Sequence, residues 1–550
     1  MHNLAQLLHQ WQHQPQRVLY RQYVNHAWHN YDVAALIALV ARWQAGFSAT
    51  GMQPGERVAI CMKNGVQWAA ADLAAHGLGL VVVPLYVDDN ADNLGWCIQD
   101  SGVRLLVADH LRFLPVLQHT LAQLPLIVLT RGVATSPAVG LDDWLPMAAE
   151  DFSIVVQSAD ALATIVYTSG TMGRPKGVML SHSNILTNIA GIIDAYPVYE
   201  TDCLLSVLPL SHMFERTAGY YLPLYAGALV IYCRGINELA QDMLEQRPTV
   251  IMGVPRLFER ILKRIDERLA SSPIKRWIFH QAAKSGWRRF KDEMRFYDPL
   301  VLKTIYPKIA QPLAERLGGR LREAVVGGAA LDQRVAETLI GLSIPLLQGY
   351  GLTEASPVVS VNRVGRNDPA SVGEPLRDVE IKLNEFSELM VRGPGVMSGY
   401  WGDTETAQGP IDAEGWLNTG DIVELQENRI YIRGRSKNIL VLSNGEKIAP
   451  EDIERAIMHD AVFEQVMVVG EAKPYLTLLA VAKDIDEQTL LRRANQQIKH
   501  LPRWARIRRV ILTEQPWGLE NGLMTPTLKI KRNAVYERYL PQIEAVYRGL

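Results

Sequence analysis

Short apolar segments recur along the first part of the chain, and longer amphipathic segments separate them. The apolar segments are rich in Val, Ile and Leu and cover 57–61, 80–85, 105–108, 126–129 and 203–210. Segments of this length and composition favour buried strands. Buried strands that alternate with helices are typical of a parallel sheet covered on both faces, so the pattern predicts an α/β fold.

Two other regions have different patterns. Residues 261–322 are typical of helices with a basic surface. From about residue 436 onward, strand-like segments at 465–469 and 476–481 are flanked by helical patterns, one of which begins near Glu451. This part of the chain is long enough to form a small α+β domain of its own.

Composition and charge narrow the class of protein. The chain has 550 residues, of which 48% are hydrophobic and 21% charged, as in ordinary globular proteins. Because 56 basic and 58 acidic side chains nearly cancel, we expect no nucleic-acid partner. The four cysteines are scattered, without a metal-binding spacing. The first residues show no basic segment leading into an apolar one, so we expect a cytoplasmic protein.

A strand-like segment at 165–167 leads into a loop of glycines and hydroxyl residues. The loop contains Thr168, Ser169, Gly170, Thr171, Gly173, Lys176 and Gly177. Glycines let successive backbone N–H groups converge on an anion, while hydroxyls and a lysine add donors and charge. Because Lys176 is followed by glycine rather than Ser or Thr, this is not a Walker A loop. Its composition alone fits either a phosphate site or a solvated surface loop.

Two further glycine-rich segments follow. The first, 324–330, is an apolar strand that ends in Gly327 and Gly328, and such a turn lets a flat ligand such as adenine approach the backbone. The second, 348–354, reads Gln-Gly-Tyr-Gly-Leu-Thr-Glu and predicts a glycine-flanked turn. Two such turns after a candidate phosphate loop indicate a nucleotide site.

In their order along the chain, these motifs resemble those of the adenylate-forming superfamily, which includes acyl-CoA synthetases, luciferases and the adenylation domains of peptide synthetases. The resemblance rests on 167–178 (YTSGTMGRPKGV), 348–354 (QGYGLTE), 414–422 (EGWLNTGDI), 430–438 (IYIRGRSKN) and 524–532 (MTPTLKIKR). It implies that superfamily's fold: a large N-terminal α/β domain over 1–434, a hinge at 435–437, and a mobile α+β C-terminal domain over 438–550.

The resemblance also implies a role for each motif in binding ATP. Tyr350 would stack on the adenine, Thr353 would hydrogen-bond a phosphate, and Glu354 would hold Mg²⁺. Asp421 would accept hydrogen bonds from both ribose hydroxyls, and Arg435 would contact the ribose or a phosphate. The other implied ATP and AMP contacts are Thr168, Ser169, Gly170, Thr171, Gly173, Lys176, Gly328, Ala329 and Gly351.

The implied catalytic lysine and the coenzyme A contacts lie near and beyond the hinge. Lys529 matches the catalytic lysine, and its neighbour Lys531 is the second candidate. Lys437 matches the position about which the C-terminal domain turns, and Asn438 stands where the family often carries Asp. Gly445 would let the pantetheine arm of coenzyme A pass.

The acyl site is implied by the segment that follows the predicted strand 203–210. The superfamily places a His or an aromatic residue there, near the carboxylate substrate, and His212 occupies that position; a lone His after a strand is also often structural. The segments 214–217 (FERT) and 254–260 (VPRLFER) resemble the long-chain fatty acyl-CoA synthetase branch.

A basic, aromatic stretch within the helical region suggests a surface partner. Between 275 and 295 there are seven Lys and Arg against two acidic residues. The aromatic residues of this stretch are Trp277, Phe279, Trp287 and Phe290. Such a helix fits peripheral contact with an anionic bilayer at the inner membrane surface. A solvated helix packed by its aromatic residues fits equally well.

Together, these features predict a long-chain fatty acid–CoA ligase that uses ATP and Mg²⁺, forms an acyl-adenylate and releases AMP and pyrophosphate. The catalytic candidates are Lys529, Thr353, Glu354 and Lys176. A fatty acyl-AMP ligase or acyl-carrier-protein synthetase is the closest alternative, and a nucleotide-binding protein without turnover is the alternative from another class. The acyl chain length and the oligomeric state stay open.

Overall fold

The computed structural model describes residues 1–121, 123–149, 152–168, 174–402, 410–483, 485–513, 515–525 and 529–548. The strands in these ranges are β1 (Val18–Val24), β2 (Ala27–Asp32), β3 (Arg57–Cys61), β4 (Val81–Pro84), β5 (Leu105–Ala108), β6 (Leu126–Leu129), β7 (Ala138–Gly140), β8 (Leu162–Thr168), β9 (Lys176–Ser181), β10 (Cys203–Ser206), β11 (Leu229–Tyr232), β12 (Val250–Gly253), β13 (Glu323–Val326), β14 (Leu346–Gly351), β15 (Val358–Val361), β16 (Glu374–Pro375), β17 (Glu380–Leu383), β18 (Glu388–Arg392), β19 (Gly399–Tyr400), β20 (Leu417–Gln426), β21 (Arg429–Arg435), β22 (Leu440–Val441), β23 (Lys447–Ile448), β24 (Gln465–Val469), β25 (Leu476–Val481) and β26 (Ile507–Leu512).

The α-helices in the same ranges are α1 (Gln6–His9), α2 (Val33–Ala49), α3 (Val66–Gly77), α4 (Ala91–Ser101), α5 (Leu114–Thr120), α6 (Leu141–Trp144), α7 (His182–Ala195), α8 (Leu222–Ala226), α9 (Leu239–Gln246), α10 (Pro255–Leu269), α11 (Pro273–Phe290), α12 (Asp298–Thr304), α13 (Pro307–Arg316), α14 (Gln333–Gly341), α15 (Pro450–Ile457), α16 (Glu487–Gln497), α17 (Arg532–Arg538) and α18 (Leu540–Tyr547). A π-helix spans Glu215–Tyr221, and short 3₁₀ turns span Thr353–Ala355, Ser436–Asn438 and Arg503–Ala505.

Two large sheets form the N-terminal part of the molecule. Among the described strands, the first sheet has the order β16-β15-β14-β13-β12-β10-β11-β1-β2, and the second has the order β19-β9-β8-β4-β3-β5-β6-β7. The strands from β14 to β1 run parallel in the first sheet, as do those from β8 to β7 in the second. The predicted α/β fold is therefore confirmed.

Two smaller units follow along the chain. Strands β17, β18, β20 and β21 form an antiparallel sheet that carries Asp421 and Arg435. Beyond it, β24, β25 and β26 pair in one sheet and, with α15 to α18, form the smaller α+β unit predicted for the C-terminal part. The exact boundaries of the predicted domains remain a prediction.

Helix α3 departs from the amphipathic pattern expected between the apolar segments. It is buried along its length except at Gln67, and it packs against α2 and against strands of both large sheets, β1 on one side and β3 and β4 on the other. A helix between two sheets has almost no solvent face, which explains why most of its residues are small or apolar.

Two predicted element boundaries were wrong because contacts with residues outside each predicted segment decide where the strand ends. The strand predicted over 203–210 ends at Ser206, because Asn64 donates to the Leu208 carbonyl (2.7 Å) and accepts from the Leu210 N–H (2.8 Å), which draws the loop away from the sheet. Of the turn predicted over 348–354, residues 348–351 belong to β14, and a 3₁₀ turn begins only at Thr353. A Cβ added at Gly351 would lie 1.8 Å from the Pro357 carbonyl oxygen, so the glycine allows close approach of the returning chain.

The basic stretch at 275–295 is helical up to Phe290, where α11 ends, and its aromatic residues divide between core and surface. Phe279 is buried in the core, and Trp287 is half-buried and stacks on Phe290. Trp277 is exposed. In the ranges that the structure describes, no helix has the length and apolar character needed to cross a bilayer.

Candidate active site

The predicted site residues gather where the parallel strands of the first sheet end. His212 lies in the loop after β10, Gly328 follows β13, and Tyr350 and Gly351 end β14, with Glu354 in the 3₁₀ turn just beyond. Ligands of open α/β sheets bind outside the carboxyl ends of the strands. The topology therefore brings segments that are far apart in sequence to one edge.

Asp421 lies at the centre of this group. It is 3% exposed, and its two carboxylate oxygens accept hydrogen bonds from the Tyr350 hydroxyl (2.6 Å) and from Nε of Arg435 (2.7 Å). Asp421 and Arg435 face each other across β20 and β21. Burial, with the charge of Asp421 adding to it, raises the pKa of Tyr350 well above its usual range, so the hydroxyl stays a donor. Three residues predicted to bind nucleotide are thus in direct contact.

The phosphate-loop residues that the structure describes lie on a hairpin nearby. Thr168 and Lys176 are opposite each other at the open end of β8 and β9. Nζ of Lys176 lies 4.9 Å from the centre of the Tyr400 ring, and the Tyr400 hydroxyl donates to Oε1 of Glu354 (3.0 Å). The predicted contacts Ser169, Gly170, Thr171 and Gly173 lie outside the described residues.

Tyr400 was missed as a site residue. It lies in the short strand β19, which pairs with β9, and it links the phosphate-loop lysine to the predicted Mg²⁺ ligand Glu354. No local pattern marks it, because both of its partners come from distant parts of the chain. Only the pairing of β19 with β9 identifies it.

Lys529 reaches the same place from the C-terminal part. Burial around its ammonium lowers its pKa, and the charge of Arg435 lowers it further, while Asp421 opposes the shift. The residue as a whole is exposed. Thr525 braces its backbone, because Lys529 N–H donates to the Thr525 hydroxyl (3.0 Å) and Thr525 N–H donates to the Lys529 carbonyl (2.8 Å).

The other lysine candidate has a different environment. Lys531 stands immediately before α17, and its N–H donates to the Leu523 carbonyl (2.9 Å). The charge of Lys529, by contrast, acts on groups of the nucleotide cluster and on His212. These charge interactions favour Lys529 over Lys531 as the candidate catalytic lysine.

His212 is held as a neutral hydrogen-bond donor. Its Nδ1 accepts from the Phe214 N–H (3.2 Å), so the proton of the neutral ring is on Nε2. Burial, with a smaller contribution from the charge of Lys529, lowers its pKa to about 4. The ring therefore stays uncharged near neutral pH and can donate from Nε2.

The π-helix after His212 is fixed by a buried ion pair. Arg216 pairs with Asp72, and both side chains are fully buried. Arg216 also donates to the Thr164 hydroxyl (2.8 Å), and the Tyr221 hydroxyl donates to Asp72 (2.7 Å). Since a buried pair that loses one partner costs about 3–5 kcal/mol, this network holds the helix and the preceding His212 loop firmly.

The coenzyme A candidates lie in the segment that follows β21. Gly445 is in the turn between β22 and β23, with φ of +86°, and a Cβ added there would meet no atom of the described residues within 4 Å. Lys437 is exposed. Asn438 donates to the Glu451 carboxylate, which explains its identity, because an Asp there would oppose a second carboxylate. In this conformation the charge of Asp421 acts on Lys529, whereas the space that a Cβ at Gly445 would occupy is open.

A metal ion in this site would be coordinated mainly by phosphate oxygens of the bound nucleotide. Among the described residues, no three His, Cys, Asp or Glu side chains cluster as a metal site. Glu354 is the single carboxylate predicted for Mg²⁺, which often binds through one or two carboxylates together with nucleotide phosphates. Glu354 therefore fits such an ion only in the presence of ATP.

Comparison with known families agrees with the order of the motifs. The model of the AMP-binding enzyme family matches residues 7–401, and the model of the AMP-binding enzyme C-terminal domain matches residues 437–550. The chain belongs to the AMP-binding enzyme family. The adenylate-forming superfamily predicted from the motifs is thereby confirmed, and relatives named as long-chain fatty acid–CoA ligases confirm the predicted long-chain acyl-CoA synthetase branch.

Several relatives in this family are similar over most of their length. The "Long-chain-fatty-acid--CoA ligase FadD15" of Mycobacterium bovis is 29% identical over 97% of this chain and 95% of its own. "Long chain acyl-CoA synthetase 6, peroxisomal" of Arabidopsis thaliana is 30% identical over 92% of this chain and 80% of its own. The "Long-chain-fatty-acid--[acyl-carrier-protein] ligase AEE15, chloroplastic" of the same plant is 26% identical over 91% and 80%.

Solved structures of AMP-binding enzymes share the fold. ATP-bound MatB from Rhodopseudomonas palustris superposes with a TM-score of 0.76 at 23% identity, over 98% of this chain and 99% of that one. The anthranilate CoA ligase AuaEII in complex with anthranoyl-AMP has a TM-score of 0.77 at 18% identity, over 99% and 98%. At these identities the similarity supports the architecture alone.

Glu215, at the start of the π-helix, predicts how stability depends on pH. Burial raises the pKa of Glu215 from 4.5 to about 8. Interactions with the Ser206 side chain and the Leu208 backbone oppose this shift only in part. Between these values the native protein holds a proton that the unfolded chain has lost, so the free energy of unfolding falls as pH rises. Glu215→Gln should remove this fall, as measured by urea unfolding across that pH range.

The control for this prediction is the exposed Glu385→Gln, which should keep the parent's slope. Glu215→Gln should be more stable than the parent at the alkaline end of the range and close to it at the acidic end. Identical slopes for the two variants and the parent would contradict the protonated state of Glu215.

Proposed function

We propose that this protein joins a long-chain fatty acid to coenzyme A at the expense of ATP, releasing AMP and pyrophosphate. The observation that carries the proposal is the hydrogen-bonded Tyr350–Asp421–Arg435 cluster, whose charges act on Lys529; the charge of Lys529 acts in turn on His212. This combines a nucleotide site, a mobile cation and a candidate acyl contact. The relatives named as long-chain fatty acid ligases support the substrate class.

The chemistry runs in two steps. A carboxylate oxygen of the fatty acid attacks the α-phosphorus of ATP, the bond from that phosphorus to the bridging oxygen breaks, and pyrophosphate leaves. The product is an acyl-adenylate. The sulfur of coenzyme A then attacks the acyl carbon, the carbon–oxygen bond to AMP breaks, and the thiol proton passes to solvent. Positioning and charge neutralisation supply most of the catalysis in such phosphoryl chemistry.

Different residues of the site would bind different groups of ATP and of the fatty acid. When the ribose hydroxyls replace the present hydrogen-bond donors of Asp421, its two carboxylate oxygens can accept from both of them. The ring of Tyr350 can stack on the adenine. Lys176 and Lys529 supply positive charge for the phosphates, and Thr353 supplies a hydroxyl. Nε2 of His212 can donate to an oxygen of the fatty acid carboxylate.

We propose Mg²⁺ as the metal and Glu354 as its protein ligand. Tyr400, which donates to Glu354, would keep that carboxylate oriented toward the phosphates. The ion would supply countercharge to ATP. Positioning of Glu354 by Tyr400 does not depend on the ion.

Two faces of the C-terminal domain serve the two steps in this proposal. Lys529 serves the first step and Gly445 the second, so the domain must turn between them about the segment 435–437. The open space around Gly445 and the action of the charge of Asp421 on Lys529 support the assignment of this conformation to the first step.

The ligase activity predicts a defined set of products. Purified protein with MgATP, coenzyme A and palmitate should form palmitoyl-CoA and AMP in equal amounts, measured by separating and identifying the products. Adenylate or AMP without thioester would instead support a fatty acyl-AMP ligase or a carrier-protein ligase, and a trial with acyl-carrier protein as acceptor would separate those two. AMP formation with no acid present would contradict the proposal.

Lys529 is expected to affect one half-reaction more than the other. Lys529→Ala should reduce palmitate-dependent ATP–pyrophosphate exchange by about a hundredfold or more, because it removes a charge that acts on the phosphates in the transition state. Thioester formation from supplied palmitoyl-adenylate should stay close to the parent's. Lys531→Ala separates the two lysine candidates, since loss of exchange there and not at position 529 would transfer the role to Lys531.

We also propose that the protein works in the cytoplasm, in peripheral contact with the inner membrane surface. The four cysteines form no disulfide in the described structure, which fits a reducing compartment. The membrane-facing surface is defined by the exposed apolar residues of α11, α12 and the loop between them: Ile274, Trp277, Phe290, Met294, Phe296 and Leu300. Phe296 is 95% exposed. The basic residues of the helix would attract anionic lipid headgroups, and the exposed aromatic residues beside them would insert into the bilayer interface.

Binding to vesicles tests this surface. The protein should sediment with vesicles of phosphatidylcholine and phosphatidylglycerol more than with phosphatidylcholine alone, and added salt should weaken binding. Phe296→Ser together with Trp277→Ser should lower binding about fivefold or more, since burial of apolar area in the interface is lost. The control Phe386→Ser removes one exposed aromatic ring elsewhere on the surface. Equal binding by the two variants would contradict the assignment.

A further inference from the structure

His459, in the C-terminal part, makes a direct contact with the N-terminal part. Its Nε2 donates to Oδ2 of Asp332 at the start of α14. The two side chains are only 24% and 12% exposed, so the pair is shielded more than an ordinary surface ion pair. Its location differs from that of every residue assigned above to the reaction.

Asp332 has two tasks, one on each carboxylate oxygen. Oδ1 accepts from the Arg334 N–H (2.9 Å) and the Val335 N–H (3.3 Å), which caps α14. Oδ2 receives His459. Burial alone would raise the pKa of Asp332, but the hydrogen bond and charge of His459, together with the backbone hydrogen bonds from Val335 and Arg334, leave the pKa lowered. The contact is therefore an electrostatically favourable one between two parts of the molecule.

The N-terminal partner stands close to the nucleotide cluster in the chain. Asp332 follows the Gly327–Gly328 turn, at the carboxyl end of β13, by a few residues. Helix α14 then leads back into β14, whose last two residues are Tyr350 and Gly351. A contact from the C-terminal part to Asp332 therefore holds that part against the edge of the sheet where the site lies.

The C-terminal partner is connected to the catalytic lysine through its own packing. His459 follows α15, and Glu454 of α15 accepts two hydrogen bonds from Arg532 (2.7 and 2.9 Å). Arg532 also donates to the Val468 carbonyl (2.8 Å), and the Val468 N–H donates back to Glu454 (2.7 Å). Arg532 lies close after Lys529 in sequence, so α15, β24 and the lysine segment move together.

We infer that His459 and Asp332 are positioning residues that hold the C-terminal domain where Lys529 meets the nucleotide site, and that they support acyl-adenylate formation but not thioester formation. The inference rests on the proposed two-step function. Turning the domain to bring Gly445 to the site would require this contact to break. The pair therefore sets part of the balance between the two orientations.

Three variants isolate the contact from the cap. Asp332→Ser keeps a capping oxygen but has no second oxygen for His459. His459→Ala removes the donor, and His459→Gln keeps a donor without charge. The matched control is His500→Ala, an exposed histidine of the same C-terminal part. Palmitate-dependent ATP–pyrophosphate exchange and thioester formation from supplied palmitoyl-adenylate are measured for each.

Exchange should fall about tenfold in Asp332→Ser and in His459→Ala, the size expected when a hydrogen bond between charged groups is lost, while thioester formation stays at or above the parent's rate. His459→Gln should recover part of the loss. The double variant should be no worse than either single one, because both remove the same contact. Equal loss in both half-reactions, additive losses or unchanged exchange would overturn the inference.

A readout without turnover separates this inference from the proposed function. Trypsin should cut at Arg435 or Lys437 faster in Asp332→Ser and His459→Ala than in the parent and in His500→Ala, with no substrate present, because release of the contact frees the C-terminal domain. An inactive parent would refute the proposed function alone. Unchanged cleavage in both contact variants would refute the positioning role whatever the activity.

Discussion

The buried carboxylate of Asp421 is the group on which the geometry of the site depends. A charge removed from water must be paired and hydrogen-bonded, and Asp421 meets this requirement with Tyr350 from the first sheet and Arg435 from the end of β21. One side chain thus joins the N-terminal sheet to the segment that precedes the C-terminal domain. A nucleotide that replaces these partners would enter a site that is already arranged to hold it.

Positive charge accumulates around this carboxylate. Arg435 lowers the pKa of Lys529, which means that the two cations repel each other, and Asp421 offsets that repulsion only partly. Lys176 adds a third cation on the hairpin of β8 and β9, close to the Tyr400 ring. A ligand with several negative charges relieves such repulsion, so the arrangement suits a polyphosphate better than a neutral molecule. Neutral His212 keeps the acyl side free of another cation.

The local sequence correctly predicted the strands that are buried on both faces and the turn that directly follows one of them. The segments 105–108 and 126–129 are strands because they are buried on both faces, and the turn at Gly327 and Gly328 follows its strand as expected. Asp421, Arg435 and Lys529 were found through the resemblance to a family, and the structure brings them together. No periodicity or spacing would have shown that contact.

The remaining features depend on partners distant in sequence. Asn64 ends the strand before His212, the return of the chain at Pro357 keeps Gly351 within β14, and pairing of β19 with β9 brings Tyr400 to Glu354. The contact of His459 with Asp332 joins two domains. Each is decided by tertiary structure, which overrides the local pattern.

Formation of an acyl-adenylate is the central claim, and the fate of the carboxylate oxygens tests it most directly. Palmitate labelled with oxygen-18 in its carboxylate is converted with MgATP and coenzyme A, and the AMP is examined by mass spectrometry. If the carboxylate attacks the α-phosphorus, AMP gains one labelled oxygen, because the carbon–oxygen bond breaks when the thiol attacks. Label in pyrophosphate or phosphate, with none in AMP, would contradict the account.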